Sequence, residues 1–257
     1  MSEKLSALLE VSIFILIIIA IFVVIDIATY PYAPWLKKTA MMLATVCVMW
    51  IKGKHREYGL FPYNTKLSIK WSLIILLIFI VPATFAIIIL NATIKWLSIL
   101  LDFVWFMIFV GFAEELMFRG YIQSRLNEVF TRTYRSFMGF KVEWHEGTLI
   151  AGALIFGPIH LINAINFRTG EISANVTLIF IVISASFFGV LLGIIREVSG
   201  DIMVCTVLHG ILDFVAIALG EAAHSSLYWI PLAVSFFAFF SFAFEKFIAD
   251  FQKQAEN

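Results

Sequence analysis

The chain has 257 residues, of which 61% are hydrophobic and only 14% charged. Soluble domains carry about 25% charged and about 45–50% apolar residues, so this composition excludes an ordinary soluble domain and predicts a membrane protein. Eighteen basic and eighteen acidic residues leave no net charge, which gives no reason to expect a nucleic-acid partner.

A spanning helix needs about 20 mainly apolar residues. Candidate stretches are 9–29, 33–51, 70–91, 97–118, 148–166, 174–195, 201–220 and 227–247. The expected fold class is all-α: a polytopic membrane protein with about eight transmembrane helices, in a single membrane domain over residues 1–257. Val11 to Ile25 has no basic cluster before it and no small-residue cleavage site after it. It reads as a retained span and not as a signal peptide. The second stretch is the weakest, because Lys37 and Lys38 shorten its apolar part to Thr39–Ile51 unless they snorkel. Cys47 and Cys205 each sit in an apolar run and read as small buried hydrophobes, with no disulfide framework implied.

Positive loops stay cytoplasmic. With eight spans, fourteen basic residues fall on one side, mainly in the 52–70 and 119–141 connections, and four on the other: Lys37, Lys38, Lys95 and Arg168. Both termini are therefore expected in the cytoplasm. Asn91-Ala92-Thr93 and Asn175-Val176-Thr177 match the glycosylation acceptor pattern, which is short enough to recur by chance. His55, His145 and His224 read as ordinary loop histidines. The basic 119–141 segment, with Tyr134, Phe137, Phe140 and nearby Trp144, has the composition of a stretch that lies on anionic lipid. Charge bias alone also explains it.

Ionisable residues inside spans are costly and usually functional. Glu114 and Glu115 end an apolar helix, in GFAEELMFRGY. Residues four apart share a helix face, so Arg119 is expected to pair with Glu115. Glu114 points about 100° away and has the setting of a general base. Phe156-Gly157-Pro158-Ile159-His160 follows, with Asn163 one turn on. His160 lies about 18 Å into its span, and Pro158 frees a backbone carbonyl near Leu154. His209 and Asp213 are again four apart, so Asp213 can orient the imidazole. Each cluster has a plain structural reading: a helix-end charge pair, a histidine bonded to a neighbouring helix, a His–Asp pair joining helices. Ser184 and Ser186 have no adjacent motif, Cys205–His209 is a remote candidate pair, and His-Glu-x-x-His is absent. Glu114 with two histidines can still ligate a metal by composition.

These three motifs, in this order on separate hydrophobic helices, resemble the CAAX protease and bacteriocin-processing family, which includes the type II CAAX prenyl endopeptidases. The resemblance covers roughly residues 100–220. It implies an eight-helix intramembrane glutamate protease acting on CaaX-type prenylated or other membrane-associated peptides, with no cofactor expected. In that reading Glu114 activates water, His160 helps hold it, and His209 with the residue at 213 stabilises the oxyanion. Glu115 and Arg119 shape the site and Phe156 packs beside it. Asp213 stands where the better-described members carry asparagine. An ionised aspartate accepts and does not donate hydrogen bonds, so Asp213 is expected only to orient His209, which then donates alone. Two other functions fit the same residues: a non-enzymatic peptide-binding protein (an immunity factor or scaffold) and a proton-coupled transporter. Transport is disfavoured because no inverted repeat is visible and the polar residues lie toward one side.

Overall fold

A computed structural model describes residues 2–29, 33–91, 95–167, 169–219 and 229–255. Arg168, His224 and the Ala92-Thr93 part of the first acceptor pattern lie outside the described residues. Among the described residues the fold is all-α apart from one hairpin and an isolated bridge between Ile165 and Ile172. Among the described residues, six helices are long and apolar enough to cross a membrane: α1 (Glu3–Thr29), α3 (Thr65–Ile89), α4 (Trp96–Asn127), α5 (Glu146–Ala164), α6 (Val176–Ser199) and α8 (Trp229–Gln254). Helix α2 (Pro34–Ile51) and α7 (Met203–Ile217) are shorter. All eight expected helices form, and six of them meet the length and apolarity of a span. The chain is an integral, multi-pass membrane protein whose apolar helices imply a lipid bilayer around it. Cys205 is buried, as expected, but Cys47 is exposed. The buried stripe of α2 is Met41, Thr45 and Met49, which turns Cys47 to the opposite, lipid-facing side.

The helices pack into two compact units, Met1–Leu60 with Leu116–Glu197 and Phe61–Glu115 with Val198–Asn257. In the first unit, α1 is apolar all round, as a membrane helix is, and buries only the stripe Ala7, Val11, Phe14 and Ile18. Within it, the Glu10 carboxylate accepts from Tyr121 Oη at 2.7 Å, Arg125 Nε at 2.9 Å and Lys52 Nζ at 2.6 Å. Glu128 accepts from Lys54 at 2.5 Å, Tyr58 at 3.0 Å and Arg125 at 3.1 Å. Burial, and then the Glu128 charge, push the Tyr58 phenol well above its usual range, so it remains a donor. Lys52, Lys54 and Arg125, three of the basic residues in these connections, are thus paired within the protein.

Helices α5 and α6 meet along a seam of small residues. A Cβ on Gly152 would sit 2.5 Å from the Gly189 carbonyl carbon, and one on Gly193 would sit 2.6 Å from Thr148 Cγ2. Gly157 lies against Ser186, whose hydroxyl donates to Ala153 O at 3.2 Å. Small residues let membrane helices approach backbone to backbone. Gly152→Ala is expected to destabilise the protein by about 1–3 kcal/mol, the usual cost of overpacking. Thermal unfolding in detergent checks this, and an unchanged midpoint would show that the seam has slack.

The 119–147 connection is not one basic loop. Its first part continues α4, and Thr133–Phe137 pairs antiparallel with Phe140–His145 as β1 and β2. Met138 and Gly139 both have positive φ, 50° and 88°, the signature of a two-residue type I′ turn. Methionine rarely adopts that conformation, so the turn carried no warning in the sequence. His145 at the hairpin base is no ordinary loop residue. Its Nδ1 lies 2.7 Å from Glu197 Oε2, and Glu197 also bonds Asn127 and Thr148.

In the second unit, Asn64 Oδ1 accepts from Leu67 N at 2.9 Å and caps α3. The α3 stripe Ser68, Trp71, Ile75, Phe79 and Ala83 is buried. Asp201, fully buried, accepts from Met203 N at 2.8 Å and Ser68 Oγ at 2.6 Å and so starts α7. Lys70 and Trp71 both donate to Asp250, at 2.6 and 3.1 Å, joining α3 to α8. Asn175, the head of the second acceptor pattern, caps α6 by accepting from Leu178 N at 3.0 Å.

Candidate active site

In the second unit, Glu114, Glu115, His209 and Asp213 come from two helices that touch through glycines. A Cβ on Gly111 would lie 2.8 Å from Thr206 O, and one on Gly210 would lie 2.9 Å from Phe106 O. That close approach of α4 and α7 lets a carboxylate on one reach an imidazole on the other. Glu115 Oε1 lies 2.7 Å from His209 Nδ1, and both side chains are buried, at 0% and 6% exposure. Asp213 Oδ2 lies 3.5 Å from His209 Nε2. Spacing in the sequence brings Asp213 to His209, but the shorter contact is made by Glu115, ninety-four positions away. No sequence pattern links those two residues. The only signal was the pair of glycines, Gly111 and Gly210, on helices that each carry a charge.

Glu114 is half-buried. It sits with Glu115 in a short α-helical segment, Ala113–Glu115, between π-helical stretches Trp105–Phe112 and Leu116–Gln123. Such insertions are frequent at functional sites because they re-aim side chains. Cys205, the remote nucleophile candidate, turns its thiol to the Ile202 carbonyl at 3.2 Å.

In the first unit, Arg119 is buried at 1% exposure. The Arg119 guanidinium donates to Gly189 O at 3.1 Å and lies 4.2 Å from the Phe156 ring centroid. Gln123, one turn on, donates to Gly193 O at 2.9 Å. Phe156 is buried and meets Phe118 and His160 edge-on, with centroids at 4.9 and 5.0 Å.

Pro158 interrupts the α5 bonding, and the backbone N–H of His160 turns to Gly157 O. That leaves the Phe156 carbonyl to the imidazole, whose Nδ1 lies 2.7 Å from it. With Nδ1 as donor, the Nε2 of a neutral ring is an acceptor. His160 is half-buried and Asn163 is exposed. Among the described residues, no group of three or more His, Cys, Asp or Glu is arranged to hold a metal.

Residues 95–215 fit the family model described as Rce1-like, type II CAAX prenyl endopeptidase Rce1-like. No curated protein and no solved structure matches the chain. The matched segment contains all eight candidate residues, and it points to a peptidase. Over residues 95–215, this multi-pass membrane protein is therefore similar to the Rce1-like type II CAAX prenyl endopeptidase family.

Proposed function

We propose that the chain is an intramembrane endopeptidase that hydrolyses CaaX-type prenylated or other membrane-associated peptides with a glutamate-activated water. The observation that carries this reading is the buried Glu115–His209 contact at 2.7 Å, one residue from Glu114 and within the family segment. A structural ion pair needs no third carboxylate beside it, whereas hydrolysis needs a base and a donor to the developing oxygen anion.

Glu114 takes a proton from water as the water attacks the scissile carbonyl. Glu115 holds His209 by Nδ1, and the Nε2 proton, with Asp213 3.5 Å away, turns to the tetrahedral oxygen anion. The family resemblance assigns His160 to holding the water, a role suited to a ring whose Nδ1 donates to Phe156 O. Arg119 and Phe156 fix the helix that carries His160. In this reading both termini are in the cytoplasm, as the bias of basic residues suggests, and the reaction takes peptides anchored in the inner leaflet.

The test is cleavage of a fluorescent farnesylated CaaX peptide by the purified full chain in detergent, with and without chelator. Chelator-resistant cleavage supports the reading. Cleavage abolished by chelator would assign the same residues to a metal, and binding without cleavage would make the chain a peptide-binding protein.

Asp213 gives a second prediction. Its carboxylate lies 3.5 Å from Nε2, farther than Glu115 from Nδ1. Asp213→Asn is expected to keep cleavage within about tenfold of wild type, against the roughly 10²–10³-fold loss on removing an oxyanion donor. Complete loss of cleavage in a folded Asp213→Asn protein would give Asp213 a direct part in the reaction.

A further inference from the structure

The β1–β2 hairpin runs alongside α6 instead of projecting from it. At its base, His145 bonds Glu197. At its tip, Phe137 stacks on Phe187, with ring centroids 5.8 Å apart. Glu197 and Phe187 are ten residues, or about 15 Å, apart along the helix, and β2 covers about the same distance. The hairpin therefore lies against the last ten or so residues of a helix that is otherwise a membrane span.

Its inner side is aromatic. Tyr134 and Trp144 rings lie 4.6 Å apart, and Trp144 Nε1 donates to Ser136 O at 3.0 Å. Its outer side is exposed and polar, carrying Arg135, Lys141 and Glu143, with Arg132 over the Tyr134 ring at 5.4 Å. Met138 at the turn is 59% exposed.

A two-stranded edge with exposed charges does not sit in hydrocarbon, where every backbone polar group must be satisfied within the protein. The hydrocarbon therefore stops at the hairpin tip. The residues of α6 agree: Val176, Ile179, Phe180 and Ile183 are exposed and apolar, whereas Gly189 to Ile195 are buried within the protein.

We propose that the hairpin rests on the bilayer surface, with Met138 at the hydrocarbon boundary and Arg132, Arg135 and Lys141 bound to anionic lipid headgroups. Three basic residues against Glu143 give the face a positive excess. The other two basic residues of the 119–141 segment are not part of it. Arg119 is buried on Gly189 and Phe156, and Arg125 is held by Glu10 and Glu128. Setting the boundary at Phe187 leaves twelve residues of α6, about 18 Å, in the hydrocarbon, so the bilayer thins beside this helix. The proposal stands independently of the peptidase reading.

The test uses the full chain in lipid nanodiscs. An environment-sensitive fluorophore is attached to Met138→Cys in a Cys47→Ser background, Cys205 being buried. Quenching is read with nitroxides near the headgroup or near the chain end, carried on phosphatidylglycerol or on phosphatidylcholine. Headgroup-proximal nitroxides are expected to quench more than chain-end ones. The phosphatidylglycerol form is expected to exceed the phosphatidylcholine form by about fivefold for each basic residue engaged at low salt, and less at high salt. Arg135→Glu with Lys141→Glu is expected to bring that ratio to one or below, with helical content and elution unchanged. Three outcomes would overturn the proposal: equal quenching from both headgroups in the wild type; no quenching by the headgroup-proximal nitroxide, which would make this a water-facing surface for a protein partner; or stronger quenching from the chain end, which would bury the hairpin in the bilayer.

Discussion

Glu114→Gln is expected to lower peptide cleavage by about 10²–10⁴-fold, the usual contribution of a positioned general base. The amide keeps the size of the carboxylate and its ability to accept a hydrogen bond, but it cannot take the proton from water at neutral pH. Glu114 is half-buried, in a three-residue α-helical segment between two π-helical ones, so the substitution changes little of the packing. Substrate binding should survive. The measurement is the cleavage rate of the farnesylated peptide at saturating substrate, beside fluorescence anisotropy for its affinity. A variant that binds and cleaves like wild type removes Glu114 as the base. One that no longer binds assigns the carboxylate to recognition instead.

Glu115→Ala is expected to be the most destabilising single change at the site, by about 3–5 kcal/mol, because it leaves a buried imidazole without the partner that holds it. Both side chains of the contact are almost fully buried, and Asp213, at 3.5 Å from the other ring nitrogen, is a weaker substitute. Denaturant unfolding in detergent measures the loss. The double variant Glu115→Ala with His209→Ala is expected to be less destabilised than the sum of the two single ones, because it removes the orphaned group as well. Strict additivity would mean that the contact contributes nothing. Cleavage should fall in Glu115→Ala, because His209 loses its alignment. Glu115→Gln, which keeps an acceptor for Nδ1, should retain more activity than the alanine variant.

Much of the candidate site was legible in the sequence because its residues are anomalies. A carboxylate pair at the end of GFAEELMFRGY, a histidine after a proline within an apolar run, and a histidine with an aspartate one turn later are each costly in a membrane helix. Their cost made them visible. Their partners were less visible. The sequence pairs residues within a helix, by spacing four, and that reasoning linked His209 to Asp213 and Glu115 to Arg119. In the structure His209 also meets Glu115 through Nδ1, and Arg119 also donates to Gly189 on α6. Helix α4 is π-helical on both sides of Glu114 and Glu115, and no periodicity argument that assumes a uniform α-helix anticipates that rotation.

The hairpin shows the opposite limit. Residues 133–145 alternate aromatic and polar side chains only loosely, the pairing register shifts between Tyr134 and Ser136, and the turn is Met138-Gly139 instead of a recognised turn pair. A basic loop was the natural expectation. His145 looked incidental because its partner, Glu197, is fifty-two residues away.

The sequence by itself determined the medium, the eight helices and the identity of the polar residues. Each follows from the free energy of placing a side chain in water or in hydrocarbon, which is a property of local composition. The tertiary structure decided which helices touch, through Gly111 with Gly210 and Gly152 with Gly189, which carboxylate holds His209, and where the hairpin lies on α6. Those depend on distances of a few ångströms between residues far apart in the chain, and only the packed backbone sets them.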